Sequence, residues 1–137
     1  MTEAGGQHLG TRHRSMAVFS QRVESASEAR SWLGSFLHDH NVEEETVMDA
    51  TLVVSELVTN ALRHGDGASV LRASLGAGEV QVSVTDSGDE EPRILPPDLA
   101  RIGGLGLVVV DRIATDWGVA AFPGGKTVWA VLARAET

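Results

Sequence analysis

The spacing of apolar residues changes period along this chain, and that change restricts the fold more than any other feature. Between Ala29 and Ala61 they recur every three or four positions, as Ala29, Trp32, Leu33, Phe36 and Leu37 and then Val47, Ala50, Val54, Leu57, Val58 and Ala61. In the second half they alternate, most plainly as Val80, Val82 and Val84. The first spacing belongs to amphipathic helices and the second to half-buried strands. The chain therefore has two helical stripes to bury before its main hairpin begins, and a sheet with one apolar face is what can receive them.

Local signals set the boundaries. Met16 to Phe19 is a short apolar run that suits an edge strand, and Ser25 or Ser27 can cap the helix that follows. Glu43, Glu44 and Glu45 suit the positive end of a second helix, which Gly65 stops after His64. Strands are expected at Ala68 to Leu75 and Val80 to Asp86 around Gly76-Ala77-Gly78, a third helix from Leu105 to Thr115, and a final hairpin of Val119 to Phe122 and Thr127 to Ala133 around Pro123-Gly124-Gly125. The order β-α-α-β-β-α-β-β predicts an α+β fold, a two-layer sandwich whose mixed, mainly antiparallel sheet carries helices on one face. The prolines and acids of Ser87 to Gly103 read as one long loop.

Composition narrows the function. A chain of 137 residues supports one domain and can bury about two thirds of its surface. The formal charge of −8, from 11 basic against 19 acidic residues, opposes direct nucleic-acid binding, which rests on cationic contacts to phosphate. No apolar run is long enough to span a membrane, and the absence of cysteine excludes disulfides, thiolate catalysis and cysteine-rich zinc sites. Residues 1–15 mix Gly, Gln, His and Arg without an apolar stretch, so they are expected to be a flexible segment rather than a secretory signal, and the protein to be cytoplasmic.

Three places could carry chemistry. Glu56, Asn60 and His64 follow at i, i+4 steps, so three polar groups share one side of a helix otherwise rich in Val, Leu and Ala. Asp86 ends the inward row of Val80, Val82 and Val84, where a carboxylate needs donors. Gly103-Gly104-Leu105-Gly106 precedes a helix, and such a segment lets backbone N–H groups approach an anion at the positive helix end. Each has an ordinary explanation when taken alone: a solvated helix face, a turn acid, a loop ending. Gly125-Lys126-Thr127 is not a Walker site, because Ala120 stands where the first glycine belongs and a strand follows in place of a helix. The glycine cluster likewise lacks the dinucleotide-binding fingerprint.

Taken together, Glu56-Leu57-Val58-Thr59-Asn60-Ala61-Leu62-Arg63-His64-Gly65, Asp86-Ser87-Gly88, Gly104-Leu105-Gly106-Leu107 and Lys126-Thr127-Val128-Trp129 resemble, in order and spacing, the nucleotide-binding boxes of the GHKL ATPases. Within that superfamily the chain is most similar to the small bacterial anti-sigma-factor serine/threonine kinases and their stand-alone actinobacterial relatives. The resemblance runs from about Phe19 to Leu132 and implies a Bergerat-type, histidine-kinase-like ATPase domain over residues 16–137. It implies ATP and Mg²⁺ as cofactors, with Asn60 holding the metal and Asp86 accepting from the adenine amino group with support from Thr127. Gly104 and Gly106 would admit the phosphates, Gly88 and Leu105 would complete the nucleotide-binding set, and residues 87–103 would form a lid. Glu56 would be the general base, and His64 a structural neighbour of the metal. The implied partners are a sigma factor and a STAS-domain anti-anti-sigma protein, with room for a homodimer and no membrane.

The sequence departs from the family at Glu90, which stands where a second glycine is usual and is followed by Glu91 and Pro92. Like charge near phosphates is unfavourable, so the leading expectation of a kinase is accompanied by an alternative, a nucleotide-switched binding module without phosphotransfer. A third is an ATPase subunit of a larger assembly. With no phosphoacceptor-histidine hairpin ahead of the domain, a complete sensor histidine kinase is not expected. Trp32, Trp117 and Trp129 are expected to be core residues.

Overall fold

The computed structural model describes residues 17–64, 69–87 and 105–134. Within them the order is β1 (Ala17–Val23), α1 (Ala26–Asp39), α2 (Glu44–His64), β2 (Ser69–Gly76), β3 (Glu79–Ser87), α3 (Leu105–Ile113), β4 (Asp116–Phe122) and β5 (Gly125–Ala133). The strands form one sheet in the order β1-β2-β3-β5-β4. All four pairings among the described strands are antiparallel, which narrows the expected mixed, mainly antiparallel sheet to a fully antiparallel one there.

The helices start and stop where local chemistry dictates. Ser25 caps α1, its Oγ accepting from the Glu28 N–H at 3.0 Å, while the Glu28 carboxylate accepts from the Glu24 N–H at 2.7 Å. At the other end Asn41 takes a φ of 60°. Val42 N–H then reaches the Leu37 carbonyl at 3.1 Å and Asn41 N–H the His38 carbonyl at 3.0 Å, the two bonds of a Schellman ending. Leu37 and Val42 are both buried, which supplies the apolar contact that accompanies this motif. The reversal sends the chain directly into α2, which packs along α1.

One core lies between the layers. Leu33 and Leu37 from α1 and Val53, Val54, Leu57 and Val58 from α2 meet Leu71, Leu75, Val80, Val82 and Val84 of the sheet, all fully or almost fully buried. α3 packs on α2 and sends Val110 into this core, and the Trp117 indole N–H of β4 donates to Asp111 at 2.9 Å, tying α3 to the sheet. Trp117 also packs against the core. Trp129 is half-buried against Gly118, where an added Cβ would stand 2.7 Å from the indole. Trp32 departs from expectation: it is 43% exposed and meets Phe19 at a ring separation of 6.2 Å.

Several further boundaries differ from those read in the sequence. α3 ends at Ile113 because Thr115 is drawn into the sheet, its N–H and its hydroxyl both donating to the Val131 carbonyl, at 2.8 and 3.0 Å. β4 accordingly starts at Asp116 instead of Val119. β1 extends through polar Ser20, Gln21 and Arg22 to Val23, because pairing with β2 satisfies its backbone whatever the side chains are.

The Asn41 ending is open to a direct test. Asn41→Gly is expected to hold or raise stability, and Asn41→Val to lower it by about 1–2 kcal/mol, since a β-branched residue resists the left-handed conformation. Urea unfolding of both variants measures the difference.

Candidate functional site

Strand parity builds the centre of the site. Asp86 shares a face of β3 with Val80, Val82 and Val84, and it is only 5% exposed although it carries a carboxylate. Opposed residues of antiparallel strands lie on the same face. On the β5 side the opposed residue is Lys126, whose Nζ donates to Asp86 Oδ2 at 2.8 Å. On the β2 side, one step beyond the Val70–Thr85 pair, it is Ser69. Ser69 is 1% exposed, and among the described residues its Oγ finds no hydrogen-bond partner. A hydroxyl, a carboxylate and an ammonium thus form a short polar row at the end of an apolar face.

The row depends on a close approach of two strands. Gly125 opposes Ser87, and a Cβ at Gly125 would collide with the Asp86 carbonyl oxygen and press against the Phe122 ring. The preceding Gly124 takes a φ of 91°, which lets the β4–β5 turn close tightly.

Glu56 and Asn60 are brought toward the same end of the molecule. Both are half-buried on α2, one helical turn apart, which separates their Cβ atoms by about 5–6 Å. Five residue steps join His64 at the end of α2 to Ser69, so the last residue of that helix lies within roughly 18 Å of Ser69. α2 also packs directly on β3.

Thr127 is not brought to Asp86. It opposes Thr85 on the other face of the sheet, and the two hydroxyls hydrogen-bond at 2.7 Å. The parity of Val128, Ala130 and Leu132, all buried, carries Lys126 inward and Thr127 outward. Lys126 is therefore the neighbour of Asp86 that reading the motif as a unit missed, and extending the alternation back from Val128 finds it. Leu105 and Gly106 form the start of α3. Gly88, Gly104, the lid positions 88–103 and residues 1–15 lie outside the described residues, as does the side chain of His64.

This arrangement suits a nucleotide and a hard cation. A buried hydroxyl with no partner among the described residues, beside a carboxylate, is a place for a polar ring edge, because leaving such groups unmatched is costly. Among the described residues no three His, Asp or Glu side chains gather as a metal cage. The amide oxygen of Asn60 and the carboxylate of Glu56 are nevertheless hard donors, and Mg²⁺ usually takes only one or two protein ligands beside water and phosphate oxygens.

Comparison with known proteins identifies the family and the fold. The profile of the histidine kinase-like ATPase domain matches residues 19–132. The anti-sigma F factor of Halalkalibacterium halodurans is 29% identical over 126 residues, covering 81% of this chain and 86% of that protein. Two solved structures share the fold. The RsbU and RsbW domains of Rv1364c from Mycobacterium tuberculosis superpose with a TM-score of 0.62 at 21% identity, over 86% of this chain and 34% of that one. The SiaB–SiaC complex of Pseudomonas aeruginosa gives 0.61 at 16% identity, over 93% of this chain and 96% of its counterpart. No described helix is long and apolar enough to cross a membrane.

Gly125→Ala is expected to force β3 and β5 apart beside Asp86 and to cost about 1–3 kcal/mol, as overpacking does. Gly124→Ala changes no packing contact, so any loss there reports only its backbone conformation. Paired thermal melts distinguish the two.

Proposed function

This chain belongs to the histidine kinase-like ATPase domain family, and on that premise we propose that it is an ATP-dependent anti-sigma-factor serine/threonine kinase. In this reading it binds a sigma factor and phosphorylates a STAS-domain antagonist on serine. The observation that carries the reading is the buried Asp86 at the end of an apolar sheet row, with Glu56 and Asn60 on the helix packed over that strand. The 29% identity to an anti-sigma F factor over most of both chains supports the choice of partners.

The residues divide the work by chemistry. Asp86 offers its carboxylate to the exocyclic amine of adenine, and the Ser69 hydroxyl is available to the same ring edge. Asn60 is the ligand that would hold Mg²⁺, and the glycines at 104 and 106 are the positions that the family resemblance assigns to the phosphates. Mg²⁺ supplies neutralisation of phosphate charge when bound. Glu56 takes the proton of the attacking serine hydroxyl while the new oxygen–phosphorus bond forms and the bond to the β–γ bridging oxygen breaks, releasing ADP. A carboxylate one turn from the metal ligand is suited to that task, since positioning and charge neutralisation dominate phosphoryl transfer. Thr127 is assigned no contact with the base, because it faces away from Asp86.

Glu56→Gln keeps shape and hydrogen bonding but cannot accept the proton. It should bind Mg·ATP with near wild-type affinity and transfer phosphate at least about 100-fold more slowly. Label from γ-phosphate-labelled ATP on serine of candidate STAS-domain proteins measures this. Transfer at the normal rate removes Glu56 as the base, and nucleotide binding without any transfer by wild type supports the binding-module alternative.

Asp86→Asn places an amide where an acceptor is needed and should weaken ATP binding by about tenfold or more, measured by calorimetry.

A further inference from the structure

We propose that Lys126 is the residue that selects the nucleotide base, its ammonium donating to ring nitrogen N1 of adenine while Asp86 accepts from the neighbouring exocyclic amine. The inference rests on the reading of the Asp86 pocket as the adenine site and extends it to a residue which that reading does not use.

The starting point is an imbalance in the ion pair. An ammonium carries three donors, and the Lys126 side chain is only 16% exposed. One donor goes to Asp86 Oδ2 at 2.8 Å. A carboxylate accepts up to about four hydrogen bonds, and the Asp86 side chain is 6% exposed. The pair therefore presents surplus donor capacity directly beside surplus acceptor capacity, in a place where little water reaches either. As a structural device it is poorly justified, because well-packed apolar residues usually stabilise as much as a buried ion pair does. Its location also argues for a ligand. It continues the row that includes the Ser69 hydroxyl, so among the described residues three polar groups in succession lack their full set of partners.

A donor beside an acceptor is complementary to a ligand edge with an acceptor beside a donor. Adenine has that edge, with N1 as acceptor and the exocyclic amine as donor. Lys126 can bond Asp86 and N1 together because its three protons diverge, so binding need not break the ion pair. Guanine also offers an acceptor next to a donor, at O6 and N1–H, and the same pair could read it in a shifted position. The ATPase family match commits the assignment to adenine.

Calorimetric titration of the full chain with ATP, 1-deaza-ATP and GTP in the presence of Mg²⁺ tests this. 1-Deaza-ATP replaces N1 by C–H and keeps the exocyclic amine. Wild type should bind it about tenfold or more weakly than ATP, the loss expected of one hydrogen bond to a charged donor. Lys126→Met should bind ATP and 1-deaza-ATP equally, both near the weaker wild-type value. Equal binding of ATP and 1-deaza-ATP by wild type overturns the assignment without recourse to any variant. So does persistence of the gap in folded Lys126→Met, or binding of GTP as tight as ATP. Failure of the underlying site reading looks different: Asp86→Asn then binds ATP as wild type does, or wild type binds no nucleotide.

Discussion

The structure turns on a carboxylate held at the end of an apolar row. Val80, Val82 and Val84 carry β3 beneath the helices, and the next inward position is Asp86, where burial without partners would cost several kcal/mol. The register of β5 supplies Lys126 at 2.8 Å, and Gly125 lets the two strands come close enough for the pair to form. Removing one partner of such a pair typically costs about 3–5 kcal/mol, so strand register and the polar site are coupled. A shift of one residue in β5 would bring Thr127 inward, expose Val128, and leave Asp86 without its cation.

The two layers then divide the chemistry. The sheet provides the polar row of Ser69, Asp86 and Lys126, and α2 provides Glu56 and Asn60 one turn apart. α2 is long because its stripe from Val47 to Ala61 covers the sheet, and its far end passes quickly into β2, which begins at Ser69. In the proposed reading, base recognition on a strand end and phosphate chemistry on a packed helix are thus joined by a single short connection. α3 completes the helical layer through Val110 and the Trp117–Asp111 bond.

Much of this was legible in the sequence because burial on one face leaves a periodic trace. The alternation through Val84 pointed Asp86 inward, and the stripe of α2 separated Glu56 and Asn60 from the core positions. Ser25 and the acids at 43–45 marked helix starts for reasons that act within a turn. What was lost depended on partners distant in sequence. Ser20 to Arg22 look unlike a strand until β2 pairs with them. Thr115 leaves the third helix because of a carbonyl on β5, sixteen positions away. Lys126 was hidden differently: its parity with Val128 was readable, but a motif that ends in threonine drew attention to Thr127, which faces Thr85 across the outer surface. Ser69 had no sequence signal at all, since only the register of three strands reveals it as a buried hydroxyl lacking a partner among the described residues.

The most direct test of the account is a map of which backbone amides respond to nucleotide. In a ¹⁵N-resolved titration with Mg·ATP, the account predicts that the largest shifts fall on Ser69, Asp86, Ser87 and Lys126 and on the Glu56 to Asn60 turn of α2. Amides of Gln81 and Ser83, which face the outer surface of the sheet, should move little. Saturating Mg·ATP that leaves the Ser69, Asp86 and Lys126 signals in place, or that shifts the outer surface instead, would contradict it.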